Sequence, residues 1–276
     1  MKPAARLAVP GTASIAMYPF VEVRDAFEHL WRLVRERLTW TPALLDWPDV
    51  PADTWRSPDL VVGQTCAWPL MTALTDTVRV VGSFEHTVPD AVGPTYRSVL
   101  IARAVDASAA AGGLEALADR TAAVNDTDSL SGWVSLLHTV HGPGARWHGP
   151  VRLTGAHVES VRAVREGRAD VASIDAVTWW LVSRLRPAAV EGLAQIGQGP
   201  RVPCLPVIVG HGVPDDAIAE LRWALDDAVR DDRFRTDRAR IAVRGFVGLD
   251  LDQYRPVLEL APAPDAAATL HAAPDA

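Results

Sequence analysis

The sequence has 276 residues, 49% hydrophobic and 22% charged, with a formal net charge of −7. This is a soluble globular composition, long enough for one large domain or two moderate lobes. No run of five like charges occurs, which excludes a nucleic-acid arm or a basic membrane-binding face, and no segment reaches the about 18 apolar residues of a membrane span. An acidic protein can still bind an anion locally, because backbone N–H groups and hydroxyls do that work. Cys66 and Cys204 lack metal-ligand spacing and are too few for a disulfide framework, so they read as two buried, reduced thiols. In the opening twenty residues a basic start precedes small and apolar residues. Pro3, Pro10 and Gly11 interrupt it before an export signal's run of about 7–15 apolar residues can form. As written the chain therefore reads as cytoplasmic, or as periplasmic if its true start lies upstream. Ten tryptophans, scattered from Trp31 to Trp223, read as packing residues.

Along the chain, Val23, Phe27, Leu30, Val34 and Leu38 lie on one helix face. The stretch from Trp40 to Asp59 carries four prolines and reads as loop. Short strands are predicted at Asp59–Gly63 and Thr77–Ser83, with a helix over Ala67–Leu74 between them. Thr95–Arg103 is a long strand, Leu114–Leu117 a short helix and Thr121–Val124 a short strand. A helix over Ser129–Val140 buries Leu130, Trp133, Val134 and Leu137. Val151–Thr154 is a strand and Val158–Glu166 a helix closed by Gly167. Asp170–Ile174 is a strand, and Asp175–Leu185 a helix that Pro187 ends. Leu205–Val209 is a strand, and Pro214–Val229 a helix with proline and two acids at its start. The Ala, Pro and Asp-rich tail beyond Leu260 is expected to be disordered. Strands alternating with helices predict a mainly parallel sheet covered on both faces. Two similar lobes explain the order better than one sheet, with Thr95–Arg103 and the Gly192–Val202 stretch as the crossings.

Four strand ends carry polar residues that suit a ligand. Asn125-Asp-Thr-Asp-Ser129-Leu-Ser131-Gly132 precedes an amphipathic helix, where unpaired N–H groups and the helix dipole favour an anion. Ser129 and Ser131 add hydroxyls, and Gly132 admits a ligand to the backbone. The same residues also fit plain capping by Asp128 or Ser129. Gly155-Ala-His157 places a histidine at the next helix start. Asp175 opens the helix after that, either capping Val177 or Thr178 or meeting a ligand's amine or hydroxyl. Gly63-Gln64-Thr65-Cys66 is the fourth strand end. In open sheets ligands bind beyond the carboxyl ends of strands. No HExxH, GxSxG or P-loop pattern is present. Cys66 and His157 can be drawn as nucleophile and base, but nothing in the sequence fixes their distance.

At these residues the chain resembles the phosphate/phosphite/phosphonate substrate-binding family of ABC transporters, the PhnD-like group. The resemblance spans roughly residues 12–210. It is carried by Met17-Tyr18, Asp59-Leu-Val-Val-Gly-Gln-Thr-Cys66, Tyr96-Arg97-Ser98, the Asn125–Gly132 segment, Gly155–Ser160 and Gly167-Arg-Ala-Asp-Val-Ala-Ser-Ile-Asp175. It implies a type II periplasmic-binding-protein-like α/β fold, two lobes with a hinged interlobe cleft. The lobes are expected at residues 1–98 plus 199–262 and at 99–198, with 263–276 as tail. Phosphonate-binding members hold the anion with a Ser-Thr-Ser triplet and a following histidine. Here these positions match Ser129, Ser131 and His157. The middle position is Leu130, a missing donor whose loss to a charged group costs on the order of 1.5–3 kcal/mol. Tyr18 and Tyr96 match the family's aromatic cleft residues, and Asp175 its helix-start acid.

The ligand-site residues implied are therefore Tyr18, Gln64, Thr65, Tyr96, Asn125, Ser129, Ser131, Gly132, His157 and Asp175. The implied function is capture of a small anion, with an ABC permease as partner and neither nucleic acid, metal nor cofactor. Two alternatives use the same fold: a cytoplasmic enzyme resembling those of thiamin-pyrimidine or menaquinone synthesis, and a cytoplasmic ligand sensor.

Overall fold

The computed structural model describes residues 11–107, 113–267 and 271–272. Residues 1–10 of the signal-like start and tail residues 268–270 and 273–276 lie outside the described residues. The described strands are β1 (Thr12–Ser14), β2 (Leu60–Gln64), β3 (Val78–His86), β4 (Thr95–Arg103), β5 (Ala122–Val124), β6 (Pro150–Leu153), β7 (Val171–Ile174), β8 (Leu193–Pro203), β9 (Pro206–Gly210), β10 (Val243–Gly248) and β11 (His271–Ala272). The α-helices are α1 (Arg24–Arg37), α2 (Ala52–Trp55), α3 (Ala67–Pro69), α4 (Ser135–His141), α5 (His157–Arg165), α6 (Ala176–Leu185), α7 (Asp215–Arg230) and α8 (Arg235–Arg240). Two π-helical turns adjoin them: Leu70–Leu74 continues α3, and Leu130–Val134 leads into α4.

The chain divides into two compact units. Unit 1 comprises Met1–Thr87, Ala91–Thr95 and Pro203–Arg255; unit 2 comprises Val88–Asp90, Tyr96–Val202 and Pro256–Ala276. In unit 1 the sheet order is β1-β2-β9-β3-β10. α1 buries Phe27, Leu30, Trp31 and Val34, the i, i+3, i+4 and i+7 positions of one face. Trp31 Nε1 donates to Pro42 O at 3.0 Å, which ties α1 to the proline-rich loop. α7 buries Ile218, Leu221, Leu225 and Val229 and packs on β3, β10 and α1.

The unit 1 sheet departs from the mainly parallel arrangement that the alternation predicts. β1 and β2 are parallel, but β9 is antiparallel to both β2 and β3, and β10 is antiparallel to β3. The reason is topological. β2 and β3, joined through α3, run the same way. β9 follows β8 after two residues, enters between them from unit 2 and runs opposite to both.

Unit 2 has the order β11-β6-β5-β7-β4-β8. Here β6, β5 and β7 are parallel neighbours, with β4 antiparallel to β7. Leu100, Val124, Trp133, Leu137, Trp147 and Val171 form the core. The predicted disordered tail contributes to it. Ala263 and Ala266 are buried in this core, Ala263 N donates to Ala145 O at 3.1 Å, and β11 pairs in parallel with β6. Alanine covers little area by itself, but here it seats against a tryptophan-containing surface. The segment from Pro256 thus belongs with unit 2, whereas residues up to 262 were expected in lobe 1.

Trp133, 1% exposed, joins the π turn to the unit 2 core. Trp133→Ala should lower stability by about 3–5 kcal/mol, read as a lower urea midpoint in chemical denaturation.

Candidate functional site

In unit 2 the parallel strands β5, β6 and β7 each run into a helix start, and parallel alignment puts all three turns on one sheet edge. The first turn begins at Asn125. Ser129 N donates to Asp126 O at 3.2 Å, and Asp128 N to Asp126 Oδ1 at 2.9 Å. Ser129 is extended (φ −92°, ψ 121°) and is the N-cap, its Oγ accepting from Gly132 N at 3.0 Å. Ser129 O accepts from both Trp133 N (3.0 Å) and Val134 N (3.1 Å), the second bond being the wide π turn. Gly132 leaves room for the Asn125 side chain. A Cβ there would lie 1.8 Å from Asn125 Oδ1 and 3.1 Å from Ser129 Oγ.

The second turn, after β6, presents His157. Gly155 adopts φ +80° and its N–H donates to Asn125 O at 3.0 Å, linking the first two turns. Thr154 Oγ1 bonds Ser160 Oγ at 2.7 Å. The two turns meet where Ser131 Oγ lies 2.8 Å from His157 Nε2. From the third side, Ser173 Oγ of β7 donates to Ser131 O at 2.6 Å. Asp175 caps α6 through Oδ1, which accepts from Thr178 N at 2.8 Å, and its charge acts on His157.

Burial lowers the His157 pKa from 6.5 to about 4, and the Asp175 carboxylate opposes that shift. The imidazole is therefore neutral at pH 7. Its Nδ1 is buried without a hydrogen-bond partner, as is Asn125 Oδ1. A neutral imidazole and a hydroxyl carry one N–H and one O–H between them. Their mutual bond consumes one, so in either tautomer one donor is left at this corner. Together with the first-turn N–H groups of a helix start, this corner can accept an oxyanion.

The structure thus brings together Asn125, Ser129, Ser131, Gly132 and His157 by contact, and Asp175 by its charge. Leu130, 2% exposed, is packed away. Tyr96 is buried in β4. In unit 1, Tyr18 is buried with its ring edge-on to His86 at 6.1 Å, and Thr65 N donates to Pro206 O at 3.0 Å. Gln64 O accepts from Trp55 Nε1 at 3.0 Å, while Gln64 Oε1 is buried without a partner. Ser173 was not anticipated as a site residue. Its signal is a hydroxyl inside the otherwise apolar strand Val171–Ile174. Ser98 and Ser135, whose Oγ atoms are buried without partners, lie where Gly199 lets β8 come close; a Cβ on Gly199 would be 2.1 Å from Ser135 Oγ. Among the described residues no group of three or more His, Cys, Asp or Glu is placed to hold a metal ion, and no helix is long and apolar enough to cross a membrane. Cys66 and Cys204 are buried and are not joined in a disulfide.

Two mixed sheets covered by helices, with β4 and β8 leading into and out of unit 2, define a type II periplasmic-binding-protein fold. A binding-protein component of an ABC phosphonate transporter from Pseudomonas aeruginosa shares it with a TM-score of 0.71 at 16% identity, covering 92% of this chain and 86% of that one. PhnD1 from Prochlorococcus marinus, solved in complex with methylphosphonate, aligns with a TM-score of 0.68 at 13% identity, over 91% and 96% of the two chains. A Xanthomonas citri protein bound to ATP gives 0.65 at 15% identity, over 92% and 95%. No curated protein sequence matches the chain significantly. The sequence model of the family described as "ABC transporter, phosphonate, periplasmic substrate-binding protein" matches residues 71–254, and the chain belongs to that family. It is a solute-binding protein.

Two outcomes follow from the geometry. Gly132→Ala should displace Asn125 and be visible as chemical-shift changes at Asn125 and Ser129 with the fold retained. The His157 pKa is lower in the folded chain (about 4) than in the unfolded one (6.5), so only the unfolded state takes up this proton between those values. Stability is full above pH 6.5 and falls towards pH 4, by at most about 1.4 kcal/mol per pH unit and on the order of 3 kcal/mol in all. Urea denaturation across this window should show a slope that His157→Gln reduces.

Proposed function

We propose that the Ser131–His157 corner is the anion-binding part of the solute site, that its ligand is a phosphonate, phosphite or phosphate-like oxyanion, and that the chain delivers it to an ABC permease from the periplasmic side of the membrane. The observation that carries this reading is the 2.8 Å contact of Ser131 Oγ with His157 Nε2 at a helix start, beside a buried Nδ1 that no protein atom satisfies. Family membership supports the class of ligand, and one structural neighbour is solved with methylphosphonate. Ser129, Gly132 and Asn125 shape the oxyanion corner, and Asp175 favours the protonated imidazole. Tyr18, Gln64, Thr65 and Tyr96 are proposed as further ligand contacts; for Gln64 the unpartnered Oε1 supports the role. The Leu130 side chain offers no hydroxyl, so the corner has one donor fewer than a Ser-Thr-Ser triplet and favours a weaker-held or larger anion.

Calorimetry with methylphosphonate, phosphite, phosphate and methanesulfonate should show saturable binding of at least one. Ser131→Ala and His157→Ala should each weaken it by about 10- to 100-fold, the range for a hydrogen bond to a charged group. A bound anion favours the imidazolium, so binding should raise the His157 pKa and strengthen as pH falls towards 4. The wild type should take up more protons on binding than His157→Gln, measured by calorimetry in buffers of different ionisation enthalpy. Equal affinities in the wild type, Ser131→Ala and His157→Ala would remove the corner from the site.

A further inference from the structure

Unit 1 holds a cavity of about 390 Å³ that the solute-binding reading does not use. It lies between the start of β3, the start of α7 and Leu251. That volume falls in the range of about 300–1,000 Å³ typical of small-ligand sites. Two arginines line it, and each is fixed by backbone carbonyls. Arg79 Nη1 donates to Val213 O at 2.6 Å. Arg222 Nε donates to Val81 O at 2.6 Å and Nη2 to Leu249 O at 2.8 Å. Neither guanidinium exhausts its five N–H groups; Arg222 Nη1 has no hydrogen-bond partner among the described residues.

The counterions are held quite differently. Arg79 pairs with Asp215 and Arg222 with Asp250, and those two carboxylates are 89% and 78% exposed. Exposed pairs of this kind contribute little and are readily exchanged. The cations are therefore preorganised, whereas their partners can swing into water. Thr75 and His211 add further polar groups beside the arginines and their carboxylates, and Val80, Ile218 and Leu251 supply apolar wall. A guanidinium fork matches a carboxylate or phosphate, and the apolar wall rewards a short hydrocarbon attached to it.

We propose that this cavity is a second ligand site, for a small organic anion with a carboxylate or phosphate head and a short apolar body. It is separate from the Ser131–His157 corner, and either assignment can fail without the other. The test uses the full chain carrying Ser131→Ala and His157→Ala, in phosphate-free buffer, titrated with n-butyl phosphate, hexanoate, inorganic phosphate and n-butanol by calorimetry and NMR. At least one organic anion should bind saturably, about tenfold or more tighter than inorganic phosphate or n-butanol. The two organic probes distinguish a phosphate from a carboxylate head. Arg79→Gln should abolish the binding. Ala219→Phe, an exposed position on the cavity wall, should abolish it by filling the space with both arginines intact. Circular dichroism and thermal melts establish that these variants fold. Absence of saturable binding by either organic anion overturns the proposal. So does binding that survives Ala219→Phe, or inorganic phosphate binding as tightly as the organic probes.

Discussion

Parallel strands that are neighbours must finish on the same edge of their sheet, and much of unit 2 follows from that constraint on β5, β6 and β7. Their registers place Val124 beside Leu153 and Ala122 beside both Val151 and Val171. Three strand-to-helix turns then have to share one small volume. They fit because Gly132 has no side chain to collide with Asn125, and because Gly155 takes a left-handed conformation while bonding Asn125 O. The Ser131–His157 contact is the result: two side chains 26 positions apart in sequence, held by three separate turns.

The same crowding sets the electrostatics. Protein packed around the imidazole removes it from water and holds it neutral, although Asp175 pulls the other way. If the proposed anion binds at this corner, the imidazole, neutral when empty, gains a reason to become charged, and capture is coupled to proton uptake. A permanently charged lysine or arginine in its place would attract anions more strongly and release them less readily. In unit 1 the arginines at the cavity are of that permanent kind, and exposed carboxylates accompany them.

Patterns local in sequence were readable before the structure. The bounds of β4 agree residue for residue with its prediction, because its apolar run is closed by Arg103, and α7 differs by one residue at each end, because it carries a periodic apolar face. The polar strand ends at Asn125–Gly132, His157 and Asp175 were readable as well, since hydroxyls, glycine and a helix start coincide there. Strand direction in unit 1 was not, because it depends on β9 arriving after a long excursion through unit 2. β10 was also hidden; Gly245 and Gly248 interrupt its alternation. The burial of Ala263 and Ala266 escaped notice because alanine-rich composition resembles a solvated tail, and it is the unit 2 core they join that makes those positions interior. Ser173 acts through a single bond to a distant carbonyl, which no spacing encodes.

The π turn at Leu130–Val134 has a consequence for the register of everything after it. A π turn accommodates one residue more than an α turn, and one helical residue corresponds to a rotation of about 100°. Trp133, Leu136, Leu137 and Val140 lie in the core of unit 2 on the far side of that extra residue from Asn125. A chain shortened by one residue here could continue as a regular helix. It would then have to choose between keeping its tryptophan indoors and keeping Ser131 within reach of His157. The widened turn lets a single segment serve both the interior of the unit and the Ser131–His157 contact at its sheet edge.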